Sequence, residues 1–206
     1  MAKTSKQPWT LERTFPWILT IGGVIGFFAS FILTLDKMEL LKDPNFVPNC
    51  NLSPLVSCSS VIKSQQSALF SFPNSLIGIA GFSVLITLGV LLLSGMKAKL
   101  IKRWVWLGLQ LGTVLGIIFV HWLFYQSVFV IRNLCPYCMV VWVVTITLFW
   151  YTTLYNLRTG VIKTPNSLKR PAAFLEKHHG DIIFLWFLLI IGIILNHFWY
   201  YWKTLL

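Results

Sequence analysis

The chain has 206 residues, of which 56% are apolar and only 11% are charged, and its mean hydropathy is +0.74. Soluble domains carry about 25% charged residues, so these values exclude an ordinary soluble domain, and the apolar content excludes a disordered chain. The formal charge of +11 would suggest nucleic acid in a soluble protein. Here, however, the basic residues lie between apolar runs, where they orient helices in membrane lipid. We therefore expect one transmembrane domain over residues 1–206 that binds no nucleic acid.

Five apolar stretches are long enough to cross a hydrocarbon core, which takes about 20 helical residues. They predict an all-α integral membrane protein with spans at about residues 15–35, 75–95, 105–131, 138–155 and 182–202. The first stretch exceeds the apolar region of roughly 7 to 15 residues in a signal peptide. We therefore interpret it as a span.

The distribution of lysine and arginine predicts the orientation. The N-terminus and the segments 96–104 and 156–181 carry 12 of these residues, whereas the segments 36–74 and 132–137 and the C-terminus carry 5. Because cytoplasmic loops are enriched in positive charge, we expect a cytoplasmic N-terminus. The four cysteines then lie on the extracytoplasmic side or at the membrane boundary beside it.

Small residues mark where membrane helices approach closely. Three glycines recur every fourth residue in the third span, so we expect close contacts there, and glycines in the first two spans could mark contacts likewise. These glycines are Gly108, Gly112 and Gly116 in the third span, Gly22, Gly23 and Gly26 in the first, and Gly78 and Gly81 in the second.

The cysteines form two pairs, Cys50 with Cys58 in the long outer loop and Cys135 with Cys138 at the mouth of the fourth span. A Cys-x-x-Cys pair can close a reversible disulfide, and its thiol pKa is commonly lowered. Proline suits the first helical position, so Pro136 predicts Cys135 at the N-cap and Cys138 in the first turn, where exposed N–H groups favour a thiolate.

Three other interpretations of these residues are open. The cysteines could form static disulfides in a non-catalytic membrane protein. They could bind zinc, although seven residues separate Cys50 from Cys58 and zinc usually takes two more closely spaced pairs. Alternatively, His121 and His197 could hold a haem, although His121 should lie several ångströms deeper than His197.

Polar and aromatic groups near the Cys-x-x-Cys pair predict a small-molecule site. Trp142 follows Cys138 by four residues and shares its helix face, while Asn74 and Ser75 place polar groups at the same membrane depth. An apolar wall with a few polar groups is what a ligand pocket needs. Trp142 could instead be a packing residue, and Asn74 a helix N-cap.

Residues 57–72 are typical of a short interfacial helix or lid that starts at Cys58.

The order Cys50-x₇-Cys58-Ser59, then Ser64, Asn74-Ser75 and Cys135-x₂-Cys138 resembles the vitamin K epoxide reductase family, and in particular its bacterial members, over about residues 15–155. This resemblance implies a four-helix transmembrane bundle around a quinone site, an extracytoplasmic cap loop over residues 36–74, and a location in the bacterial plasma membrane. The fifth span is an addition to that bundle.

The resemblance also implies a role for each residue of the motif. A thioredoxin-fold partner attacks at Cys50, Cys58 exchanges with Cys135, and electrons leave through Cys138 to a membrane quinone. Asn74 would hydrogen-bond a quinone carbonyl, and Ser64 would line the pocket.

The activity implied is therefore quinone-dependent thiol–disulfide oxidoreduction, with reduction of vitamin K epoxide by the same cysteines as the alternative. Trp142, which we expect to contact the quinone, stands where vertebrate members carry tyrosine. No thioredoxin-like domain follows the fifth span, so we expect a separate partner protein.

Overall fold

The computed structural model describes residues 11–162 and 169–203, and it is almost entirely helical in that part of the chain. Two short 3₁₀ turns, Gln65–Ala68 and Ala98–Leu100, and a π-helical segment, Gln126–Ile131, lie between the α-helices. The α-helices are α1 (Leu11–Lys42), α2 (Cys58–Lys63), α3 (Asn74–Leu93), α4 (Arg103–Tyr125), α5 (Pro136–Arg158), α6 (Lys169–Lys177), α7 (His179–His197) and α8 (Trp199–Trp202).

Among the described residues, five helices are long and apolar enough to cross a membrane, which confirms the predicted all-α membrane fold. Helix α1 is longer than the predicted span because the residues after Leu35 are mostly good helix formers. Its 32 residues extend for about 48 Å, well beyond a hydrocarbon core of about 30 Å. The last turns of α1 therefore project toward the cysteine loop. At the other end of the chain, the predicted fifth span is interrupted at Phe198, between α7 and α8.

Helix α1 is the centre of the arrangement, since it packs along both α3 and α5, and α4 packs along the other side of α5. Phe15 of α1 stacks on Tyr155 of α5 with ring centroids 4.2 Å apart. Trp106 of α4 joins the same buried cluster. This cluster fixes the ends of three helices at the side of the bundle away from the cysteines.

The glycine contacts differ from those predicted. An added Cβ would lie 2.5 Å from the Phe82 ring at Gly26, but it would meet nothing within 4 Å at Gly108 or Gly112. In the first two spans, Gly22, Gly23 and Gly78 also face close neighbours, whereas Gly81 does not; Gly116 has one ordinary contact, with Thr145. The expectation of close contacts was therefore wrong at Gly108 and Gly112. Close approach at glycines occurs between α1 and α3, and a different stripe of α4, including Leu109 and Ile117, is buried.

Hydrogen bonds occupy both ring nitrogens of His121. Its Nδ1 lies 2.9 Å from the Ile117 carbonyl oxygen, and its Nε2 accepts from Trp186 Nε1 at 3.1 Å. His197 lies between the rings of Phe129 and Phe198. His121 therefore ties α7 to α4 and presents no free lone pair to a haem iron, which argues against the haem alternative.

The glycine contacts generate a stability test. Gly26→Ala places a methyl group against the Phe82 ring, and overpacking of this kind costs about 1–3 kcal/mol. We expect it to lower the thermal midpoint of the protein in detergent micelles. Gly108→Ala is the matched control, since the new methyl group enters open space and alanine favours the helix. Equal midpoints for the two variants would contradict this assignment of the helix contacts.

Candidate redox site

The outer cysteines are joined by a disulfide between Cys50 and Cys58. Cys58 is the first residue of α2, as the sequence predicted, and Ser57 is the N-cap whose side chain accepts from the Ser60 N–H. Both disulfide cysteines are buried, with exposures of 5% for Cys50 and 0% for Cys58. The loop therefore holds Cys58 in a defined position at a helix start.

Asn51 binds the two ends of this short loop together. Its Oδ1 accepts from Ser57 Oγ and from the Ser59 N–H, each at 3.1 Å. Its Nδ2 donates to Ser59 Oγ at 2.7 Å. One amide side chain thus fixes the first turn of α2 relative to Cys50.

A short backbone bridge joins the loop to the segment before α5. Val56 pairs with Leu134 in a parallel bridge. The Leu134 N–H donates to the Leu55 oxygen and the Ser57 N–H donates to the Leu134 oxygen, both at 2.9 Å. Because Leu134 precedes Cys135 and Ser57 precedes Cys58, this pairing places the two cysteines side by side.

The preceding π-helical segment sets the direction in which the chain enters this bridge. It ends at Arg132, which is left-handed with φ 56°. Ser127 Oγ donates to the Asn133 oxygen at 2.5 Å, and the Asn133 N–H donates to the Ser127 oxygen. The turn before α5 is therefore hydrogen-bonded back to the π-helical segment, and it brings Leu134 to the loop.

The inner pair has the predicted helix-start geometry. Cys135 is the N-cap of α5, Pro136 is its first residue, and the Cys138 N–H donates to Cys135 Sγ at 3.4 Å. The Cys138 thiol and the backbone N–H groups of Cys138 and Tyr137 stabilise the Cys135 thiolate and lower the pKa of Cys135, although burial and the charge of Asp36 oppose them. Cys135 is therefore suited to carry negative charge during disulfide exchange.

The two pairs meet through one sulfur contact. Cys135 Sγ lies 3.4 Å from Cys58 Sγ, and both residues are fully buried. Cys138 packs against the same cluster and is partly exposed. The geometry can therefore support thiol–disulfide exchange between Cys58 and Cys135, which needs an attacking sulfur in contact with a disulfide sulfur.

The cap segment after α2 is held down by Lys37, on the projecting end of α1. Lys37 Nζ donates to the Ile62 oxygen at 2.6 Å and to Ser67 Oγ at 3.2 Å. Ser64, a predicted pocket residue, is the C-cap of α2, and its hydroxyl donates to the Val61 oxygen at 2.7 Å. In this conformation the Ser64 hydroxyl is used for a hydrogen bond within the cap segment.

Asn74 is the first residue of α3 and not its N-cap, which is Pro73, so the N-cap interpretation was wrong. The Asn74 side chain turns back to the cap. Its Nδ2 donates to the Gln66 oxygen at 2.6 Å, and its Oδ1 accepts from the Leu69 N–H at 3.1 Å. One amide hydrogen and one oxygen lone pair remain for a ligand.

Trp142 is buried, with an exposure of 4%, and packs edge-to-face on Phe124. Beside it is a cavity of about 10 Å³ that His121 and Ile190 also line. That space holds about one water molecule, whereas a benzene ring occupies a cavity of about 150 Å³. A flat ligand can therefore stack on Trp142 only if Phe124 or Ile190 moves. The buried cluster around Trp142 includes Phe124 of α4 and Ile194 of α7, whereas the hydrogen-bond partners of the Asn74 side chain lie in the cap segment.

Three residues that the sequence interpretation did not single out contribute to the site. Asn51 fixes the loop, Lys37 holds the cap, and Asp36 places a carboxylate oxygen 3.8 Å from Cys50 Sγ. A charged pair directly after an apolar span was the available signal for Asp36 and Lys37.

The Asn51 contacts generate a prediction about loop order. Asn51→Ala removes three hydrogen bonds at the start of α2, each of which contributes about 0.5–1.5 kcal/mol. We expect the backbone amides of α2 to exchange with deuterium at least about tenfold faster, since about 1.4 kcal/mol corresponds to tenfold. The matched control is Asn49→Ala, because Asn49 is exposed. The same exchange rate in both variants would show that Asn51 does not order this segment.

Comparison with known proteins identifies the chain at the family level. A family model described as the vitamin K epoxide reductase family matches residues 17–153, which is more than half of the chain and includes all four cysteines. No curated protein matches the chain.

Proposed function

The chain belongs to the vitamin K epoxide reductase family, and on this premise we propose that it is a membrane thiol–disulfide oxidoreductase that passes electrons from a partner dithiol to a quinone. Membership of this oxidoreductase family supports an enzyme, and five apolar helices fit an integral membrane protein. The observation that carries the proposal is the 3.4 Å contact between Cys58 Sγ and Cys135 Sγ, one sulfur from each pair.

The relay starts at the outer disulfide. A thiolate of the partner forms a bond to Cys50 Sγ, the Cys50–Cys58 bond breaks, and its electron pair leaves on Cys58. The Cys58 thiolate attacks Cys135 of an oxidised inner pair, so that the Cys135–Cys138 bond breaks and Cys138 leaves as a thiolate. The partner's second thiol, on losing its proton, closes the partner disulfide and releases Cys50.

The outer disulfide then re-forms. The Cys50 thiolate attacks Cys58 in the Cys58–Cys135 bond and releases Cys135, whose lowered pKa makes it a good leaving group. The partner has lost two electrons and two protons, and the inner pair has gained two electrons. The structure has this arrangement of bonds, with a Cys50–Cys58 disulfide and free Cys135 and Cys138.

The quinone is the acceptor that family membership implies, and it would take two electrons from the reduced inner pair. Asn74 is the proposed donor to its carbonyl, while Ser64 and Trp142 are proposed to contact it. The cavity beside Trp142 does not admit a ring in this conformation. In this conformation, the proposed transfer between the cysteines therefore ends at Cys138.

The charge distribution supports the proposed orientation. The N-terminus and the loops 96–104 and 156–181 hold most of the basic residues, so we place them in the cytoplasm of a bacterial cell. The cysteines then face the extracytoplasmic side, where disulfides persist. A thioredoxin-fold protein on that side is the proposed partner.

Cross-linking tests the central contact. In Cys50→Ser/Cys138→Ser protein, Cys58 and Cys135 are the remaining thiols, and neither can be resolved by a third cysteine. We expect mild oxidation with diamide to join them completely, because their sulfur atoms already touch. Non-reducing gels with a maleimide mass tag, followed by peptide mass spectrometry, measure the linkage.

The control is Cys50→Ser/Cys135→Ser protein, which keeps Cys58 and Cys138. We expect its linkage to form at least about tenfold more slowly, since geometry and access limit exchange. A Cys58–Cys138 bond that forms as fast as the Cys58–Cys135 bond would refute the proposed route.

A further inference from the structure

A carboxylate lies beside one sulfur of the outer disulfide. Asp36 Oδ2 is 3.8 Å from Cys50 Sγ, and Cys50 is only 5% exposed. Asp36 itself is half-buried on the projecting end of α1. Because a disulfide sulfur carries no proton, this contact is not a hydrogen bond. It brings a negative group against Cys50 and leaves Cys58 to face Cys135.

Neighbouring charged groups have partners of their own. Lys37 binds the cap through the Ile62 oxygen, and Lys63 donates to the Pro44 oxygen. Glu39 pairs with Lys42, Asp43 accepts from the Asn45 N–H, and Arg132 is exposed. The Tyr137 ring is the other titratable group packed against the cysteine cluster. Within the part of the chain that the structure describes, no ion pair neutralises Asp36.

We propose that Asp36 is a positioning residue that decides which sulfur of the outer disulfide leaves, and so directs the partner to Cys50. This inference rests on the relay proposed above. Attack on Cys58 would place the departing electron pair on Cys50, beside the carboxylate, where like charges repel. Attack on Cys50 places it on Cys58, the sulfur that faces Cys135. The less repelled sulfur is the better leaving group.

The released thiolate is then the one that the relay needs. Attack on Cys50 forms the partner–Cys50 bond, breaks the Cys50–Cys58 bond, oxidises the partner sulfur and reduces Cys58. The Cys58 thiolate is 3.4 Å from its target, Cys135 Sγ. When the partner disulfide closes and Cys50 is released, Asp36 favours the protonated thiol and can accept its hydrogen bond. The carboxylate thus makes Cys50 and Cys58 differ in how readily each leaves as a thiolate.

The direction of attack can be measured without a partner or a quinone. Cys135→Ser/Cys138→Ser protein keeps the outer disulfide, and serine preserves the N-cap of α5. Glutathione is the probe, and mass spectrometry counts adducts on Cys50 against adducts on Cys58. We expect Cys50 adducts to predominate, and Asp36→Asn to lower the Cys50:Cys58 ratio by about threefold or more, since leaving tendency follows proton affinity.

Two matched variants separate charge from structure. Asp36→Glu keeps the charge and should restore most of the ratio, and Glu39→Gln removes a carboxylate that is paired with Lys42 and should leave the ratio unchanged. In fully reduced protein that retains all its cysteines, Asp36→Asn should also speed alkylation of Cys50 by iodoacetamide at pH 7 by about threefold or more, because more thiolate is present.

An unchanged adduct ratio and alkylation rate in Asp36→Asn would overturn the role of Asp36, as would equal changes in Glu39→Gln. Neither readout requires transfer from Cys58 to Cys135. Failure of the relay in the cross-linking experiment is therefore a separate result.

Discussion

The site depends on two backbone hydrogen bonds between residues 55–57 and Leu134. They are the only element of sheet-like pairing in the described part of the chain, and they join a loop to a segment that is distant in sequence. Cys58 and Cys135 each follow the bridge directly, so the pairing alone brings their sulfur atoms into contact. The Asn51 side chain and the tied-back turn before Leu134 hold the two sides of the bridge in place.

Helix α1 connects this bridge to the rest of the bundle. Glycines on its membrane part let α3 approach closely, and its projecting end carries Lys37 to the cap and Asp36 to the outer disulfide. The length of α1 thus allows one rigid element to set both the helix packing and the electrostatics at the cysteines. Asp36 and Lys37 both follow the apolar span, so a helix that ended with the span would make neither polar contact.

The sequence was sufficient for those features that depend on local chemistry. Apolar length identified the five spans, and proline after Cys135 identified the helix start, because both follow from a single segment. Features that depend on how segments meet were not accessible. Gly108 and Gly112 have the spacing of a contact but face open space, and Asn74 resembles an N-cap but binds the cap segment. The Asp36 contact joins residues of different segments and leaves no periodic signal.

The fixed contact between the two pairs also limits how electrons can move. Cys58 and Cys135 are both fully buried, and the loop already delivers Cys58 to Cys135. In the proposed relay the outer disulfide meets the partner, so recognition of the partner is separate from the chemistry next to the membrane. Burial of both sulfur atoms would keep competing thiols in solution away from the proposed Cys58–Cys135 intermediate.

The most direct measurement of this account is a rapid acid-quench time course on fully oxidised protein in lipid nanodiscs, mixed with a limiting amount of dithiothreitol. Mass spectrometry of the linked peptides follows all four cysteines. If electrons pass through Cys58, the outer disulfide opens first, a Cys58–Cys135 linkage appears transiently, and reduced Cys135 and Cys138 follow, with this last step lost in Cys58→Ser protein. Reduction of the inner pair at the same rate in wild-type and Cys58→Ser protein would show that electrons bypass Cys58.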